Sequence, residues 1–174
     1  MHDTLLLIVD VQNAIAANKP YRFDEVLANI KLLLTKFRTG KKPLLFIQHD
    51  DGIGSDFEVN THGWKIVDEI APQAGEMVIP KLFNSAFRDT PLDEYLKKSG
   101  IKKLIIVGLQ TEYCIDTTIR VAFEKGYEVI IPELTNTTVD GPVLKAEDIV
   151  KHHHHLFDNR FGRVVKMEDL LTAE

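Results

Sequence analysis

Three side chains far apart in the sequence have the types that covalent hydrolysis needs. Cys114, the only cysteine of the chain, lies in GLQTEYCIDTT (108 to 118), Asp10 closes the apolar run TLLLIVD, and Lys81 follows the run MVIP in MVIPKLFNSAF. Nucleophilic thiol chemistry asks for a thiolate, a group that carries protons and a cation that steadies negative charge. Each residue also has an ordinary structural use. A free cysteine is commonly an inert packing group, an aspartate at a strand end caps a turn or helix, and a lysine there is mostly solvated. Whether the three meet depends on the elements that carry them.

Those elements alternate along the chain. Short runs of Leu, Ile and Val occupy 4–10, 43–49, 76–80, 103–109 and 127–132, with a weaker run at 162–167. Runs that are apolar on both faces are the pattern of parallel strands covered on both sides. Between them, residues 22–39 place Phe23, Val26, Ile30, Leu33, Leu34 and Phe37 on one helical stripe, 91–98 is a short amphipathic piece, and 112–125 carries Ile115, Ile119, Ala122 and Phe123. Gly40, Gly100 and Gly126 follow these helices where a left-handed residue is wanted. The alternation predicts an α/β chain: a three-layer Rossmann-like fold, with an open, mostly parallel six-stranded sheet and helices on both faces. No composition shift marks a boundary, so 1–174 is expected to be one domain.

In such a sheet ligands bind beyond the carboxyl ends of the strands. Asp10, Lys81 and Cys114 all leave strands at that edge. Cys114 is predicted in the first turn of the 112–125 helix, where unpaired N–H groups and the helix dipole lower a thiol pKa and can hold an oxyanion. No histidine is an obvious base partner, which leaves Asp10 and Lys81 for that role.

Composition narrows the partners. A formal net charge of -5 and a pI near 5.8 give no footprint for nucleic acid or an anionic membrane. No run reaches the length of a membrane span, and MHDTLLLIVDVQ lacks the basic region of a secretion signal. The expectation is a cytoplasmic protein acting on a small molecule.

With LLLIVDVQN at the start, KLFNSAFRDTPLDEYLKKSGIKKLIIVGLQTEYCIDTTIRVAFEKGYEV through the middle and MEDLL near the end, the sequence resembles the isochorismatase-like cysteine hydrolases. That family includes nicotinamidases, isochorismatases, N-carbamoylsarcosine amidohydrolases and ureidoacrylate hydrolases. The resemblance implies an Asp10-Lys81-Cys114 triad. Asp10 takes the thiol proton, Cys114 attacks an amide carbon to form a thioester, and Lys81 stabilises negative charge. It also implies a non-proline cis peptide between Leu109 and Gln110, with the Gln110 and Cys114 N–H groups forming the oxyanion hole. Homo-oligomers are common in the family, and one is expected here. The alternatives to an amidohydrolase are vinyl ether hydrolysis of the isochorismatase type, which needs no cysteine, and an idle relative that only binds or assembles.

The sequence departs from the family in one respect. Nicotinamidases hold a metal through an Asp-x-His pair and a later His, whereas this chain has QHDD, with His49 beside Asp50, and His62 further on. No metal and no cofactor are therefore expected. Gln12, His49, Trp64 and Phe83 are the candidate walls of a substrate pocket, and Phe87 is a further aromatic near it. The segment 50–75 is long for a connection and reads equally as a pocket wall or a surface excursion with one helical turn at 65–70. In the run His152 to His155, successive residues turn by about 100°, so four imidazoles cannot converge on one ion, and His153 is expected to be partly buried.

Overall fold

Residues 3–172 are described in a computed structural model built around a parallel sheet. Its strands are β1 (Thr4–Val9), β2 (Leu44–His49), β3 (Met77–Lys81), β4 (Lys103–Leu109), β5 (Glu128–Pro132), β6 (Asn136–Thr137) and β7 (Arg163–Val165). The main path runs β3-β2-β1-β4-β5-β7, with every neighbouring pair parallel. The six expected strands form this path. The seventh, β6, is a two-residue polar strand that pairs Asn136 and Thr137 with Gly108 and Leu109 at the end of β4. No run of apolar residues announces it.

The helices are α1 (Asn13–Ala16), α2 (Phe23–Thr39), α3 (Leu92–Lys98), α4 (Asp116–Glu124), α5 (Ala146–Phe157) and α6 (Met167–Thr172). Every residue of β1 is buried, because alternate side chains enter different layers. Leu5, Leu7 and Val9 pack with Leu92 and Leu96 of α3 and with Ile119 and Ala122 of α4, while Leu6 and Ile8 pack with Val26, Ile30, Leu33 and Leu34 of α2. Each such leucine or isoleucine contributes about 1.5–3 kcal/mol on burial, which is what holds the strand ends in place. No described helix is long and apolar enough to cross a membrane.

Two glycine stops are as expected, since Gly100 and Gly126 are left-handed. Gly40 is not: its φ is -79°, and Lys41 takes the left-handed turn one residue later, at φ 49°. The segment 50–75 contains a 3-10 turn at Asp68–Ile70. Its later part is stitched to the residues after β1. Asn13 N–H donates to Lys65 O at 2.9 Å, Ala14 N–H to Gly63 O at 2.9 Å, and Val67 N–H to Val11 O at 3.1 Å. That part is a fixed wall.

Gly108 has φ 129° and lies against β1, where a Cβ would stand 1.9 Å from the Val9 carbonyl oxygen. Backbone cannot yield as a flexible side chain does, so Gly108→Ala is expected to lower unfolding stability by about 3 kcal/mol or more, measured by urea titration. A loss below about 1 kcal/mol would show that β1 and β4 separate easily.

Candidate active site

Asp10 is the first residue beyond β1 and adopts φ 51°, a conformation that aspartate tolerates better than most residues. It is fully buried. Lys81, the last residue of β3, has a side chain with no exposure, and Cys114 is 9% exposed. The three distant residues meet at one point. The Lys81 ammonium lies 2.6 Å from Asp10 Oδ2 and 3.2 Å from Cys114 Sγ. The contact with Asp10 falls outside ordinary hydrogen-bond angles, so it is an ion pair, and Asp10 Oδ1 has no hydrogen-bond partner among the described residues. Lys81 also donates to Phe83 O at 3.0 Å and contacts His49 Nδ1 at 3.0 Å.

The turn that carries Cys114 differs from the expected first α-helical turn. Thr111–Ile115 is π-helical, with Ile115 N–H donating to Gln110 O at 3.2 Å, and α4 continues from it. Single π turns of this kind occur often at functional sites. Strand β6 anchors the turn: Thr111 Oγ1 donates to Asn136 Oδ1 at 2.9 Å, and Thr138 Oγ1 to Glu112 Oε1 at 2.7 Å. The Leu109–Gln110 peptide is cis.

The electrostatics correct one expectation. Instead of being lowered by the helix, the Cys114 pKa is pushed up to about 12, first by burial and then by the negative charge of Asp10, with Lys81 opposing both. Asp10 is raised as well, because burial outweighs the stabilising Lys81. The thiol therefore holds its proton near neutral pH.

The candidate pocket walls take different places. His49 closes β2, with its ring edge-on to Phe57 at 5.5 Å and its Nε2 2.7 Å from Asp51 Oδ1. Gln12 is not a wall. Its amide is buried and used up, donating to His49 O at 2.9 Å and Trp64 O at 2.7 Å and accepting from His49 N–H at 2.9 Å. It clamps β1 to β2 and to the 50–75 segment. Trp64 is half-buried and contributes its carbonyl to this clamp, which Gln48 joins at 2.9 Å. Phe83 does line a cavity of about 470 Å³, together with His49, Asp51, Asn84, Arg88 and Thr117. The Arg88 guanidinium covers the Phe83 ring at 3.6 Å. Phe87 belongs to the core, stacked on Tyr127 at 6.0 Å. Cys114 lines neither the Phe83 cavity nor one of about 500 Å³ at the start of α2 beside Lys19 and Arg22, but the first is walled by His49, which contacts Lys81, and by Asn84, which lies near Cys114 Sγ.

Asn84, Arg88 and Asp51 were missed by sequence reasoning, although Asn84 Oδ1 lies 3.9 Å from Cys114 Sγ. The signal was their nearness in sequence to Lys81 and His49. A metal of the nicotinamidase kind does not fit. Asp10, His49 and Cys114 offer ligand atoms within 4.8 Å of one another, but the Lys81 ammonium contacts all three, and both ring nitrogens of His49 are engaged. In the histidine run, His153 is half-buried and bonds Ile149 O through Nδ1 at 2.8 Å. His154 contacts Asn136 at 3.0 Å, and burial lowers its pKa to about 4.

Comparison with known proteins shows the family. The family model described as the isochorismatase domain matches residues 4–169. The secreted isochorismatase effector Isc1 of Verticillium dahliae is 33% identical over 172 residues, covering 97% of this chain and 90% of its own. The ureidoacrylate amidohydrolase RutB of Pseudomonas syringae is 27% identical, over 98% of this chain and 83% of its own. A crystal structure of an isochorismatase family protein superposes with a TM-score of 0.88 at 29% identity, over 94% of this chain and 98% of that one. On its sequence and on its fold, the chain belongs to the isochorismatase family.

Proposed function

We propose that the protein is a cysteine hydrolase that opens the C–N bond of a small amide through a thioester on Cys114. The observation that carries this is the contact of one buried ammonium with both a buried carboxylate and the only thiol, at 2.6 and 3.2 Å. The naming of one relative as an amidohydrolase supports the amide class.

Asp10 accepts the thiol proton as sulfur attacks the carbonyl carbon, and Lys81 stabilises the charge forming on sulfur. The N–H groups of Gln110, just before the π turn, and of Cys114, within it, face the oxyanion. The C–N bond breaks as Asp10 returns its proton to the leaving nitrogen. Water then attacks the thioester and gives its proton to Asp10, and collapse releases the acid and restores the thiol. The cavity bounded by His49, Phe83 and Asn84 receives the acyl group. No step requires a cofactor.

A panel of small amides, assayed by ammonia release and quenched for mass spectrometry, tests the scheme. The expected result is ammonia release from at least one amide, with the matching acyl mass on the peptide containing Cys114. Hydrolysis with no acyl group on Cys114 under rapid quench would refute the thioester.

A further inference from the structure

The Lys81 ammonium has three N–H donors and four acceptors around it: Asp10 Oδ2, Phe83 O, His49 Nδ1 and Cys114 Sγ. An ammonium cannot accept, so His49 Nδ1 must be the acceptor. The ring proton then sits on Nε2 and is donated to Asp51 Oδ1 at 2.7 Å. Asp51 thus fixes the tautomer from the solvent side, its side chain being 52% exposed against 13% for His49.

The three N–H groups of Lys81 serve Phe83 O, His49 Nδ1 and Cys114 Sγ, and Asp10 lies beside them as an ion pair. Asp10 Oδ1, which has no hydrogen-bond partner among the described residues, is open to the thiol proton. Once Asp10 takes that proton and becomes neutral, the N–H on sulfur stays with the thiolate. Phe83 O and His49 Nδ1 hold the nitrogen still through this change of charge.

We infer, on the basis of the cysteine hydrolase function proposed above, that His49 is a positioning residue for that reaction: with its tautomer set by Asp51, it anchors Lys81 during thiol activation. The charged and titratable groups that face the ring are Lys81 from β3, Asp10 after β1, Cys114 from the π turn and Asp51 beyond β2. Phe57 covers its edge.

The test is iodoacetamide labelling of Cys114 at neutral pH, resolved by mass spectrometry. His49→Phe should be slower by about tenfold or more, as expected for a misplaced catalytic group. His49→Asn, whose Oδ1 stands near the position of Nδ1, should restore most of the lost rate. Asp51→Ala, at an exposed position that leaves the core intact, should lower the rate when His49 is present and leave it unchanged in the His49→Asn background.

Wild-type rates in His49→Phe would overturn the anchor. So would a His49→Asn rate no higher than that of His49→Phe, because an acceptor at the Nδ1 position would then make no difference. A Cys114 inert to labelling in wild type would instead sink the cysteine hydrolase function itself.

Discussion

Cys114→Ala leaves a folded protein whose amide turnover falls by about ten-thousandfold or more. The size follows from the scheme, since without sulfur there is no acyl-enzyme and the remaining groups can only orient water. Stability should change little, and the donor count explains why. Removing the thiol leaves Lys81 bonded to Phe83 O and His49 Nδ1 and in its ion pair with Asp10, so the buried ammonium keeps its charged partner and two acceptors. Steady-state kinetics on any amide found in the panel, with thermal unfolding alongside, checks both halves. Retained turnover would favour a route that needs no thiol, as in vinyl ether hydrolysis.

Lys81→Met should cost about a thousandfold in turnover, and it should also destabilise the fold in a pH-dependent way. Asp10 would lose its ion pair with Lys81 while fully buried, and burial already raises its pKa with Lys81 in place. In the variant the folded pKa lies further above the unfolded one. The folded state then binds more protons than the unfolded state between those two values, so stability falls as pH rises through that window. Relative to wild type, the loss is small below about pH 4, where aspartate is protonated in both states, and grows above it. Urea unfolding of Lys81→Met across pH reads this directly, and Asp10→Asn combined with Lys81→Met should remove the pH dependence without restoring turnover. A pH-independent loss in Lys81→Met would mean that packing, not charge, accounts for the lysine.

The comparison of sequence with structure divides by type of interaction. Strands β1, β2, β4 and β5 were legible because burial on both faces leaves an unbroken apolar run, and the convergence of Asp10, Lys81 and Cys114 followed from their places at strand ends. Strand β6 was not legible, since two polar residues carry no period and their role lies in side-chain bonds to the π turn. Gln12 looked like a ligand group because its true partners are backbone groups of residues 49 and 64, which no local pattern reveals. The Cys114 pKa went the other way from expectation because the helix-terminus argument ignores how deeply the sulfur is buried beside a carboxylate. His49 was identified as a pocket candidate, but its engagement with Lys81 depends on the register of β2 against β3, which pairs His49 with Lys81.

The close approach at Gly108 bears on how this site can diversify. Val9, which precedes the acid, and Gly108, which shortly precedes the thiol turn, are register partners in direct main-chain contact. The spacing between acid and thiol is therefore a property of two backbones, and layers of helix can be repacked around it without changing that distance. New substrates are best sought by varying Leu82 to Arg88 and the unstitched stretch before His62, with the β1-β4 contact left untouched.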